Sequence, residues 1–87
     1  MPVTVELFGI PRRRAGVDRL EVDADRLGDA LLAAAAAAPG LADCLEPDGR
    51  LKTGCLANLN GRRFTRDPEA RLSSGDQVIV LSADVGG

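Results

Sequence analysis

The stretch Ser74-Gly75-Asp76-Gln77-Val78-Ile79-Val80-Leu81 decides how the rest of the chain reads. Gly75-Asp76 is turn chemistry, and the run after it is apolar and β-branched at successive positions. That pattern belongs to a strand covered on both faces, which must therefore sit centrally in its sheet. A central strand needs neighbours. Val3, Val5 and Leu7 alternate with Thr4 and Glu6, the period of a strand with one buried face, and Phe8-Gly9 closes it. Leu20 and Val22 alternate with Arg19 and Glu21 as a second strand. Between them, Ile10 to Gly16 holds Pro11, three successive arginines and Gly16, and reads as the basic loop of a hairpin. Further on, Cys55, Ala57 and Leu59 alternate with Leu56, Asn58 and Asn60. Asn60-Gly61 favours a tight two-residue turn, so Arg62 to Phe64 should return beside that strand.

The period changes at Asp23 to Asp25. Leu27, Ala30, Leu31, Ala34, Ala35 and Ala38 fall at helical spacing, with acids at the start and Pro39-Gly40 at the end, which predicts a helix from Arg26 to Ala38. Its alanine tract suits a thin helix lying close to a sheet, whereas Gly28 costs about 1 kcal/mol relative to Ala. Leu41 to Gly54 carries Pro47, Asp48-Gly49 and Gly54 among scattered leucines, and reads as a long connection with room for one helical turn. The economical way to bury this set is an α+β fold with one main helix on one face of a mixed four- to five-stranded sheet. With the first and last strands adjacent in the middle, that is the β-grasp arrangement. The expected division is a domain over residues 1–81 and a flexible tail over 82–87.

Composition narrows the function. Eighty-seven residues leave room for one domain, which buries only about 60 to 65% of the surface its unfolded chain exposes. Phe8 and Phe64 are the only aromatic residues, so the core must be aliphatic. Eleven basic residues against 13 acidic ones give a net charge of -2, which offers no general attraction to nucleic acid or anionic membranes. The chain has no His, so it lacks the usual general base and the commonest metal ligand; neither an autonomous enzyme nor a metal site is expected. Cys44 and Cys55 fit no zinc spacing and are expected to be plain, partly buried free thiols. No signal peptide is evident, and the apolar run Ala30 to Ala38 is well short of the ~20 residues that span a bilayer. A soluble protein in the reducing cytoplasm is the expectation.

The sequence ends Ser82-Ala83-Asp84-Val85-Gly86-Gly87, directly after the apolar strand. Six extended residues reach at most about 20 Å. Without a Cβ, glycine lets the backbone thread a narrow channel and leaves the final carbonyl open to attack. A terminal carboxylate is ionised at neutral pH, so it can attack a nucleotide phosphate but is a poor acyl donor until activated. With no phosphate-binding loop in the chain, activation must come from a partner carrying ATP.

Several pieces in this order resemble one family: Phe8-Gly9 after the first strand, an Arg-rich segment ending Ala15-Gly16, Asn58-Leu59-Asn60-Gly61, Leu72-Ser73-Ser74-Gly75-Asp76-Gln77-Val78 and the final Gly86-Gly87. They look like the ubiquitin-like sulfur carriers, which include the small subunit of molybdopterin synthase and the thiamin-pathway carrier; the length is nearer the former. The resemblance implies that an E1-like enzyme adenylates Gly87 with ATP and that a sulfur donor converts it to a thiocarboxylate. A synthase large subunit or its equivalent would then accept the sulfur. It places Gly86 as the threading residue and Val85 as a side chain gripped by the partner. The chain would be a carrier and co-substrate with no bound cofactor of its own. The same tail also suits a protein modifier conjugated to lysines through Gly87, or a carrier serving thiamin, cysteine, tRNA thiolation or a specialised metabolite. The stretch before the glycines, Ser82-Ala83-Asp84-Val85, departs from the apolar, often Pro-containing run of the family.

Charge along the chain is uneven. Arg50 to Arg71 holds six basic residues against Asp67 and Glu69, whereas Asp18 to Asp48 holds eight acids against Arg19 and Arg26. Arg62, Arg63 and Arg66 beside Phe64 form a candidate docking patch that steers partners by charge. Asp76, Asn60 and Gly61 read as turn residues, and Arg12 to Arg14 as a solvated loop.

Overall fold

A computed structural model describes residues 2–82. The elements run β1 (Pro2–Leu7), α1 (Gly9–Ala15), β2 (Arg19–Asp23), α2 (Leu27–Ala37), a 3-10 helix (Pro39–Cys44), β3 (Cys55–Leu59), β4 (Arg63–Thr65) and β5 (Gln77–Ser82). The five strands form one sheet in the order β2-β1-β5-β3-β4. β5 lies in the centre, parallel to β1 and antiparallel to β3, and β1–β2 and β3–β4 are antiparallel pairs. This is the mixed-sheet β-grasp fold, with α2 packed on one face.

The core follows from strand parity. Val3, Val5 and Leu7 of β1, Val78 and Val80 of β5, and Ala57 and Leu59 of β3 all turn to the same side. There they meet Leu27, Ala30, Leu31 and Ala34 of α2, together with Leu41, Leu45 and Leu51 from the long connection. The leucines that look scattered in sequence are thus its anchors. An antiparallel bridge between Leu45 and Leu51 shapes that connection.

The start of α2 is held by the loop before β5: the Leu27 and Gly28 N–H groups donate to the carbonyls of Ala70 and Pro68 at 2.9 and 2.8 Å. Those are helix-terminal donors with no intrahelical partner. A Cβ on Gly28 would sit 2.8 Å from the Pro68 side chain and 3.0 Å from the Asp48 carbonyl. Glycine's weak helix propensity is therefore offset by the close approach of two loops that only a bare backbone permits.

Four expectations need correction. Ile10 to Gly16 is not a loop, because Gly9–Ala15 is a short helix. Pro11, which looks like a breaker, lies in the first turn, where its missing N–H costs nothing, and Gly16 takes φ 78° to return its N–H to the Arg12 carbonyl at 3.0 Å. The three arginines fill the last turn, where the helix dipole favours cations. Secondly, β5 is buried on one face only. Val78 and Val80 are fully enclosed, but Gln77, Ile79 and Leu81 are half-buried. Thirdly, the β3–β4 connection has three residues: Asn60 and Gly61 do take positive φ, closed by Arg62 N–H to Leu59 C=O at 3.0 Å, and pairing resumes at Leu59 with Arg63. β5 also runs one residue beyond the expected limit, to Ser82.

Candidate functional site: an open sheet face and the base of the tail

The sheet face opposite α2 carries the residues of the other parity. Arg19, Glu6, Ile79, Asn58 and Phe64 lie in one row across β2, β1, β5, β3 and β4, and Leu56 opposes Leu81 in the neighbouring pair of β3 and β5. Directly paired residues share a face, so Leu56, Ile79, Leu81 and Phe64 make one apolar surface. Phe64 is 61% exposed on a three-residue edge strand. The patch is bordered by polar groups, with the Gln77 amide donating to the Glu6 carboxylate. At its centre Asn58 is only 8% exposed, and its Oδ1 has no hydrogen-bond partner among the described residues. An apolar face ringed by polar groups on a small domain is the usual mark of a protein-binding surface.

The candidate patch residues are only partly brought together. Arg62 is in the turn, and Arg63 and Phe64 are adjacent on β4 and so point to opposite faces. Arg66 is tied back, its Nε donating to the Cys55 carbonyl at 2.9 Å. The sheet order sets β2, with Glu21 and Asp23, at one edge and β4, with Arg63, at the other. Sequence reading missed Leu56, Ile79 and Leu81 as surface residues. The signal was present in their parity, opposite to Ala57, Val78 and Val80, but a continuous apolar run conceals it.

The second feature is the end of β5. Ser82 pairs with Cys55, and its Oγ accepts the Ile10 N–H at 3.0 Å, while Phe8 N–H donates to the Val80 carbonyl at 2.9 Å. A Cβ on Gly9 would come within 2.8 Å of Ser82 Oγ, and Gly9 has φ +62°. Phe8-Gly9 is therefore a lock that holds β5 at Ser82. Phe8 and Ile10, each 44% exposed, flank it. Gly9 also lines a shallow cleft with Arg12, Arg13, Gly16, Val17 and Asp18. Val85, Gly86 and Gly87, named above as the reactive end, lie outside the described residues.

Asp76 is structural: its carboxylate accepts from Asn60 Nδ2 at 3.1 Å and from Ser73 N–H at 2.7 Å, while Asn60 Oδ1 accepts the Gln77 N–H at 2.8 Å. The Asn-Gly turn and the Gly-Asp turn thus hold each other at the entrance to β5. Among the described residues no group of three or more His, Cys, Asp or Glu side chains is placed to hold a metal ion. None of their helices is long and apolar enough to cross a membrane.

No family model and no curated protein sequence matches the chain. Solved structures do. The crystal structure of SAMP1, the small archaeal modifier protein 1 of Haloferax volcanii, aligns over the whole of both chains with 26% identity and a TM-score of 0.83. The chain has the fold of the ubiquitin-like sulfur carriers and modifiers and is similar to them along its whole length. Two further members of this fold group were solved in complexes. In the Amycolatopsis orientalis BexX/CysO complex, the match covers 98% of this chain and 99% of the other, with 22% identity and a TM-score of 0.81. In the complex of subunits 1 and 2 of the Helicobacter pylori molybdopterin-converting factor, it covers both chains fully, with 24% identity and a TM-score of 0.66. These last two likenesses are of fold.

Proposed function

We propose that the chain is a sulfur carrier, a co-substrate whose Gly87 carboxylate is charged by a partner. The carboxylate attacks the α-phosphate of ATP in an E1-like enzyme and pyrophosphate leaves, giving an acyl-adenylate. Hydrosulfide supplied by a sulfur donor then attacks the acyl carbon, AMP leaves, and the product is a thiocarboxylate that passes sulfide to an acceptor. The observation that carries this reading is the lock at Ser82. It holds Ser82, the last described residue before the segment ending Val85-Gly86-Gly87, beside an apolar face that partners can grip. Gly86 serves the narrow channel and Val85 the grip. The face with Leu56, Ile79, Leu81 and Phe64 docks first the activating enzyme and then the acceptor, and Arg62 and Arg63 steer the encounter. The likeness to the molybdopterin-converting factor complex favours a synthase large subunit as acceptor and molybdopterin formation as the pathway.

The test is intact-mass measurement after incubation with the cognate activating enzyme, ATP and a sulfur source. Replacement of one oxygen by sulfur at the C-terminus is expected, and an unchanged mass would count against the carrier. The match to a protein named a modifier favours one second reading, transfer of the activated Gly87 to lysines. Adducts that survive reducing gels would establish that reading instead.

A further inference from the structure

The two cysteines sit at the two ends of the long connection, Cys44 closing the 3-10 helix and Cys55 opening β3. Both are buried in the same core cluster, at 5 and 6% exposure. Lys52 ties their backbones together: its N–H donates to the Cys44 carbonyl at 2.9 Å, and its own carbonyl accepts the Cys55 N–H at 3.1 Å. Of the titratable neighbours, Cys55 acts most on the Cys44 thiol, through charge and hydrogen bonding. A sequence separation that matches no disulfide framework or metal motif thus becomes a side-by-side pair in the fold.

We propose that Cys44 and Cys55 are a latent disulfide site, which small disulfides oxidise to an intramolecular Sγ–Sγ link that staples the 45–54 connection to the start of β3. The step is thiol–disulfide exchange. One cysteine thiolate attacks a reagent disulfide RS–SR and releases RS⁻, and the second thiolate attacks the protein-bound sulfur of the mixed disulfide and releases the other RS⁻. One S–S bond forms and one breaks, two electrons pass from the protein to the reagent, and the thiol protons end on the two RSH molecules. The Cys44 thiol keeps its proton at neutral pH. Burial first, then the neighbouring Cys55 through its charge and its hydrogen bond, raises the Cys44 thiol to about 11; Asp43 adds to this and Arg14 opposes it. The link would lie one strand from Ser82, because Cys55 is its register partner.

The test uses the full chain with oxidised glutathione at about pH 8.5, where thiolate is more available. The expected product is a monomer two hydrogens lighter, with a cross-linked peptide pair joining Cys44 to Cys55 and no retained glutathione. The oxidised form should melt at least ~5 °C above the reduced form, because the link closes a short loop in the unfolded chain. Cys55→Ser should give only a mixed disulfide on Cys44. Persistent glutathione adducts on the parent chain, disulfide-linked dimers, two thiols still free after the native chain is exposed, or a lower melting point on oxidation would each overturn the proposal. The measurements on the parent chain decide the matter even where a cysteine variant fails to fold, and none depends on the chemistry of Gly87.

Discussion

The two faces of the sheet are made by the same strands and differ in almost everything else. On the α2 side, Val3, Val5, Leu7, Ala57, Val78 and Val80 are at most 1% exposed. On the other, Thr4, Glu6, Leu56, Gln77, Ile79 and Leu81 are half-buried and Phe64 is open to solvent. One face supplies the free energy of folding. The other holds apolar surface in reserve, which a small domain gives up readily only where another protein covers it. Neighbouring residues of one strand, Ile79 and Val80, therefore carry different tasks.

The sharpest way to break that division is a charge on each side. Val80→Asp should abolish cooperative folding, since an unpaired buried carboxylate costs several kcal/mol against a total of about 5 to 15; circular dichroism melts would show the loss. On the open face, Phe64→Ala should weaken binding to the activating enzyme about 10-fold or more, by titration calorimetry, while moving stability by no more than ~0.5 kcal/mol. A large stability loss there would mean that the two faces are not separate.

Smaller effects sharpen the boundary at Ser82. Gly9→Ala meets both a left-handed φ and the Ser82 hydroxyl, so it should cost about 1 to 2 kcal/mol in denaturant unfolding, more than Gly16→Ala, where nothing lies within 4 Å. The smallest effect is alkaline. Cys44 keeps its proton to about pH 11 in the folded chain against an ordinary value of 9.0, so its stabilisation is complete below pH 9 and is lost as pH rises towards 11. Stability curves of the parent chain and Cys44→Ala should converge over that window.

Much of this was legible beforehand. The parity of Val3, Val5 and Leu7, the helical spacing from Leu27 to Ala38 and the Asn60-Gly61 turn each name an element through local stereochemistry alone. α1 escaped because seven residues hold too little periodicity, and Pro11 and Gly16 mark a helix's ends as readily as a loop's. Arg66 looked like a member of the patch, but whether its guanidinium reaches solvent or the Cys55 carbonyl is decided by a strand that precedes it by eleven residues.

Sequence alone determined the strands, the main helix and their order, because backbone preference and apolar period act between near neighbours. Tertiary structure decided which face of β5 stays uncovered, that Gly9 grips Ser82 and that Cys44 meets Cys55. Each of these joins residues far apart in the chain, and such contacts depend on register and on what packs above the sheet, which no local pattern encodes.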